Sequence, residues 1–344
     1  MKKKTVRFGI IGTGLIASTH AEALKRLGNA VLFMVYDRDL QKAEAFARRF
    51  ECRFARTFEE LLESSVEAVT IATPSGLHAQ SAIPAARAGK HIFCEKPLDV
   101  SIEKAEEMIR ACDENKVRLA AVYPLRFCDS VKWVRNMLDA GHFGTPVLAG
   151  GSIRWYRTPE YYASAAWRGT RALDGGGVLM NQGIHIADLL LHLNGDVSEV
   201  SAYTAKCLHR IEVEDTVAVS LRFRNGSLGY LEASTACAPG NPKRLELSGT
   251  LGTVLLEDDQ ITRCRLDQET EVTETIPRAA APIQDSGSPL VSDCELHRRQ
   301  LEDMADAILN GGEVAVTGRE GLRALKLIHA VYESAESGRR IPME

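Results

Sequence analysis

The sequence predicts a two-part chain, a doubly wound α/β domain followed by an α+β domain with a large antiparallel sheet. Two patterns and the length predict it. From Val6 to Tyr123, short apolar, β-branched runs alternate with helix-length runs, the rhythm of parallel βαβ units. From Val197 to about Leu266, five short strand-like runs follow one another with glycine and Asn-Gly between them, the rhythm of a meander. At 344 residues the chain is long enough to bury two cores.

Val6–Ile11 opens as a buried strand. "GTGLIA" follows it, with glycines at 12 and 14 and Ala17 in the third small position, and then a helical run. The first glycine permits a tight turn, the second lets backbone approach a pyrophosphate, and the small third residue lets helix and strand pack closely. Gly12, Gly14, Leu15 and Ile16 would therefore cradle a dinucleotide, with helix N–H groups facing its phosphates. The next strand, "AVLFMVYD", ends at Asp37. An acid at that tip accepts from the adenosine ribose and repels a 2′-phosphate, which favours NAD, while Arg38 keeps NADP as the alternative. The basic, apolar start imitates a signal peptide, but Arg7 and the glycines interrupt it and the fingerprint accounts for them.

"EAVTIATP", "HIFCEKP" and "VRLAAVY" continue as strands, with helices over "LHAQSAIPAARAG" and "SIEKAEEMIRACDENK". Ligands of such sheets sit beyond the carboxyl ends of the strands. Thr73, Pro74, His78, Glu95 and Lys96 lie at two of those ends and are expected near the cofactor.

"PLRFCDSVKWVRNMLDAGHFGTP" reads as a linker and helix leading out of the first domain, with Arg126 a candidate cleft residue. "IRWYRTPEYYASAAWRG" then mixes aromatics with Arg154, Arg157 and Arg168. Aromatic faces suit sugar C–H surfaces and arginine forks suit carboxylate or phosphate, making Tyr156, Trp167 and Arg168 substrate candidates. The alternation also fits plain strand packing. In "DGGGVLMNQGIH", Asn181 and His185 stand four apart and share a helix face. The glycines are expected to let that helix start close to a cofactor or substrate. Arg278 to Asp293 is proline- and serine-rich without a period and reads as a loop.

A net charge of −4 without a basic stripe excludes nucleic acid and anionic membrane as partners. Eight cysteines contain no C-x-x-C pair, which fits a reducing, cytoplasmic setting. No run reaches the roughly 18 apolar residues of a membrane span. His185, Asp188 and His192 lack a familiar zinc spacing, so no metal is expected.

"GIIGTGLIASTHAEAL", "ATPSGLHAQSAIPAARAGKHIFCEKPL", "GGGVLMNQGIHIADLLLHL" and the closing "RRQLEDMADAILNGGEVAVTGREGLRALKLIHAVYESAESGRRIPM" together resemble the Gfo/Idh/MocA family of nicotinamide-dependent oxidoreductases. The resemblance implies a Rossmann domain over 1–123 and an α+β domain with a large, mostly antiparallel open sheet over 124–344. The closing helices of 294–337 are free to pack back toward the first domain. It implies an NAD(P)-dependent dehydrogenase acting on CH–OH groups of a small carbohydrate, assembled as a homodimer or homotetramer through the second-domain sheet. Lys96 matches the family's E-K-P lysine at the reacting hydroxyl, and His185 its acid/base histidine. Many relatives carry aspartate at position 181. Asn181 departs from that pattern and puts substrate and proton relay in question.

Independently of the family, oxidising an alcohol needs a base, a cation near the oxygen and a hydride acceptor. Histidine, lysine ammonium and nicotinamide meet those needs. Asn181 can donate and accept hydrogen bonds and would orient a substrate group. In isolation Lys96 reads as a solvated charge and His185 as a bonded core residue. The same residues also serve a UDP-sugar (uronate) 3-dehydrogenase, an NAD-using transient-redox glycosidase or lyase, or a non-catalytic sugar or NAD sensor.

Overall fold

The computed structural model describes residues 4–267 and 294–343. The loop expected over 278–293 lies outside the described residues. The chain divides into two compact units. One holds the residues up to Pro124 and a returning segment that ends at Leu322; the other starts at Leu125 and resumes at Arg323.

The first unit is built on six strands: β1 (Val6–Ile11), β2 (Ala30–Tyr36), β3 (Arg53–Phe54), β4 (Ala68–Ile71), β5 (His91–Cys94) and β6 (Leu119–Ala121). All pair in parallel, in the order β3-β2-β1-β4-β5-β6. This is the doubly wound order whose direction reverses between β1 and β4, so a ligand crevice opens where those two strands end. Val6, Phe8 and Ile10 of β1 are fully buried with Ala17, Ala21 and Leu24 of the helix Leu15–Lys25. The returning helix Glu295–Asn310 adds Leu301, Met304 and Ala305 to the same core. Its Gln300 Nε2 donates to the Ala121 carbonyl at 2.7 Å, and Asn29 Nδ2 donates to Asp306 at 2.7 Å.

The second unit carries an eight-stranded sheet: β7 (Pro146–Arg154), β8 (Val197–Ala205), β9 (Thr216–Phe223), β10 (Leu228–Ser234), β11 (Arg244–Gly249), β12 (Gly252–Glu257), β13 (Gln260–Leu266) and β14 (Ile341–Pro342). The meander expected from Val197 onward forms, but β7 inserts between β11 and β10 and runs parallel to β10. The sequence hides this strand because glycines interrupt it. A side chain at Gly150 would collide with the Tyr230 ring at 2.1 Å, and one at Gly151 with Ile186 at 2.2 Å. Gly151 thus lets the helix Ile184–Asn194 lie on one face of the sheet.

Candidate active site

At the reversal point Gly12 has φ +94°, and a Cβ there would lie 2.8 Å from the Ala72 carbonyl oxygen in the loop leaving β4. Only glycine combines that conformation with that approach. Gly14 differs: it caps the helix without a side chain, is exposed, and a Cβ added to it would meet nothing within 4 Å. Open space beside uncapped helix N–H groups suits the pyrophosphate of a dinucleotide. Leu15 is exposed and Ile16 half-buried against the core. Asp37 follows β2, and its Oδ2 accepts from Thr13 N–H at 2.9 Å and Thr13 Oγ1–H at 2.7 Å. The acid is thereby held on the glycine turn, with Arg38 exposed beside it.

Beyond β4 and β5, several expected cofactor residues are engaged by the protein itself. His78 is buried, its ring nitrogens facing the carbonyls of Pro97 at 2.8 Å and Thr73 at 2.9 Å, so it ties the two loops together. Thr73, Pro74 and Lys96 are half-buried. Glu95 is buried; it bonds His20 Nε2 at 2.9 Å and accepts from the Lys96 backbone N–H at 3.2 Å. His20 packs edge-on against Phe93 and 5.5 Å from the ring of His297. Burial works to raise the Glu95 carboxyl, but the His20 hydrogen bond, with the charges of His20, His297 and Lys96, holds it at about 2. Burial, reinforced by His20, pushes His297 down to about 4. The ligand-type atoms of His20, Glu95 and His297 lie within 4.8 Å of one another. In this cluster Glu95 and His20 are bonded to each other, and His297 stands beside them through its ring contact with His20. The sequence offered no signal for it, since three elements distant in the chain supply its members.

In the second unit the glycine run packs against protein. Gly175 has φ +79°, a Cβ at Gly176 would lie 2.1 Å from Tyr332 Oη, and one at Gly177 would lie 1.6 Å from the Glu214 carbonyl oxygen. The glycines thus let this segment pack closely against Tyr332 and Glu214. Glu214, itself buried, accepts from Gly177 N–H at 2.9 Å, Leu179 N–H at 3.0 Å and Tyr332 O–H at 3.0 Å. Its backbone carbonyl also accepts from Val178 N–H at 3.1 Å. The chain then winds through a wide π turn, Leu179–Gly183, into the helix Ile184–Asn194. Such turns recur at functional sites. From Gly176 to Leu191 every residue is buried except Asn181 and His185, which are half-buried. Asn181 Nδ2 donates to Asp174 Oδ1 at 3.0 Å.

Arg126, a candidate cleft residue, pairs with an acid of the second unit. It grips Asp188 with Nε at 2.9 Å and a terminal guanidinium nitrogen at 2.6 Å, and both residues are buried. A fork on a carboxylate with both groups out of water is a structural pair. Arg168 lies over Tyr161 and Trp167, 4.4 and 4.7 Å from their ring centroids, and donates to Tyr161 Oη at 2.7 Å. Buried Arg157 stacks on Trp155 and Tyr161, and Gln182 Nε2 donates to Tyr161 Oη at 3.2 Å. Tyr156 is half-buried and bridges Ala236 through its backbone. Tyr161 and Gln182 are thus linked to the Asn181 turn, which the sequence motif did not reveal.

A doubly wound parallel sheet with a glycine turn at its reversal point is the frame of a nicotinamide-dinucleotide oxidoreductase. The chain belongs to the Gfo/Idh/MocA family: residues 6–123 match its NAD-binding Rossmann-fold oxidoreductase domain and residues 131–255 its C-terminal domain. It is similar to the WlbA dehydrogenase of Bordetella pertussis, solved in complex with NADH and UDP-GlcNAcA, with 31% identity and a TM-score of 0.88, covering 100% of this chain and 99% of that one. Inositol 2-dehydrogenase of Rhizobium meliloti (strain 1021) is 28% identical over 98% of this chain and 99% of its own length. The 1,5-anhydro-D-fructose reductase of Ensifer adhaerens is 29% identical over 98% of each. NAD is the cofactor of this fold; Gly12, Gly14 and Asp37 would hold it at the reversal point, where it would supply the hydride acceptor.

Proposed function

We propose that this protein transfers hydride between a hydroxyl of a sugar, polyol or glycoside and NAD, with Lys96, His185 and Asn181 as the catalytic set. His185 takes the hydroxyl proton during oxidation, and the Lys96 ammonium stabilises the developing alkoxide. Asn181 orients the substrate. Gly12, Gly14, Leu15, Ile16 and Asp37 hold the dinucleotide. The observation that carries the reading is that Asn181 and His185 are the two half-buried residues of an otherwise buried stretch from Gly176 to Leu191. The inositol and anhydrofructose relatives act on compounds of that class by their names.

A second reading, an acidic or nucleotide-linked sugar as substrate, is favoured by Arg157 and Arg168 stacked around Tyr161 near Asn181 and by the similarity to WlbA. The test is NADH formation with myo-inositol and 1,5-anhydro-sugars against UDP-linked uronates. His185→Ala is expected to lower turnover by about 10²- to 10⁴-fold while leaving NAD affinity nearly intact. Equal turnover in the mutant would sink the assignment. The same proposal includes a homo-oligomer formed through the sheet face that exposes Leu148, Tyr203 and Leu228, and a cytoplasmic setting. Among the described residues, no helix is long and apolar enough to cross a membrane.

A further inference from the structure

The structure assigns Asp174 as the positioning residue that sets which end of the Asn181 amide meets the substrate; this deepens the function proposed above and rests on it. Asp174 is buried, and its two carboxylate oxygens have different partners. Oδ2 accepts from the Gly169 backbone N–H at 2.8 Å, and Oδ1 accepts from Asn181 Nδ2 at 3.0 Å. A carboxylate oxygen can only accept, so the Asn181 group facing it must be the NH₂. The amide's two ends cannot exchange without placing oxygen against oxygen. Asn181 Oδ1 is therefore turned away from Asp174, and Asn181 works as an acceptor toward a substrate hydroxyl or an imidazole N–H.

Asp174 is fixed in turn. Its backbone N–H donates to the Thr170 carbonyl at 3.1 Å, and Gly169, at φ +69°, presents an N–H that cannot rotate away. Seven residues before Asn181, a carboxylate thus supplies the directing charge that position 181 itself lacks. An aspartate at 181 would present an acceptor whichever way it turned; an asparagine presents one only when something orders it.

Asp174→Asn tests this by chemistry that a purely structural role would not follow. The introduced carbonyl would stay with the Gly169 N–H, leaving the introduced NH₂ against the Asn181 NH₂. The Asn181 amide then turns over and offers a donor where it had offered an acceptor. We expect kcat/KM to fall about ten- to hundred-fold with the fold retained. Asn181→Asp alone sets two carboxylates against each other and also loses activity. The double variant Asp174→Asn/Asn181→Asp restores donor-to-acceptor matching with the roles exchanged and is expected to recover to within about threefold of wild type.

The trial substrates are myo-inositol and UDP-linked N-acetylglucosaminuronate, with NAD affinity and thermal midpoint recorded for each variant. A readout needing no substrate is the Asn181 side-chain ¹H–¹⁵N amide pair, identified by its loss in Asn181→Asp and expected to shift markedly in Asp174→Asn. An unmoved amide pair, or a folded single variant that the second substitution does not rescue, overturns the assignment. His185→Ala separates the two levels. If it is inactive while Asp174→Asn is fully active, only the role of Asp174 fails; if it is fully active, the site itself fails.

Discussion

Buried His297, whose ring lies 5.5 Å from that of His20, makes a quantitative prediction about acid stability. His297 has its pKa pushed from 6.5 to about 4, first by burial and then by the neighbouring His20. In the unfolded chain it binds a proton near the ordinary value, so between about pH 4 and 6.5 the unfolded state holds more protons than the folded one. Stability from this residue is therefore fully present above 6.5 and is lost as pH falls toward 4. Each unit is worth 1.36 kcal/mol, so the loss is about 2 kcal/mol at pH 5 and about 3 kcal/mol once pH is well below 4. His297→Phe keeps a ring of similar size and cannot take up a proton. Urea unfolding of the two proteins at half-unit steps from pH 7 to 4.5 should give stability curves that converge by about 2 kcal/mol on acidification. Glu95, held at about 2, contributes stability that is fully present above its ordinary 4.5 and is lost only as pH falls from there toward 2, below the range titrated. Parallel curves would refute the reasoning, because they would mean that folding imposes no penalty on protonating His297.

Three further outcomes follow from the structure. Gly177→Ala drives a methyl to 1.6 Å from the Glu214 carbonyl oxygen, so turnover should fall at least tenfold with a clear drop in the thermal midpoint. Gly14→Ala, with nothing within 4 Å, should keep the fold and weaken NAD affinity instead, which fluorescence titration of the two variants would separate. Arg126→Leu strands the Asp188 carboxylate in the interior and should cost about 3–5 kcal/mol in unfolding experiments. If Arg126 served the substrate alone, the same change would raise KM and leave stability untouched.

Features written in local order could be read before folding. The β1 strand, the glycine turn and Asp37 are contiguous or one βα unit apart, and periodicity with glycine sterics suffices to read them. The pair Asn181 and His185 could likewise be read, because four residues in a helix always share a face. Asp174 stood in the same short stretch, yet its role depended on which oxygen met which donor, and spacing carries no such information. Other features needed the folded chain. β7 was invisible because its glycines answer to Tyr230 and Ile186 rather than to any strand propensity. Arg126 looked like a cleft residue until folding placed Asp188, sixty-two positions away, within its fork. The close packing of the glycines before Asn181 against Glu214 and Tyr332 likewise appeared only in the fold. Conformational demands are local and leave a mark on the sequence; close approaches and pairings of buried charges are set by distant segments, and appear only once the chain has folded.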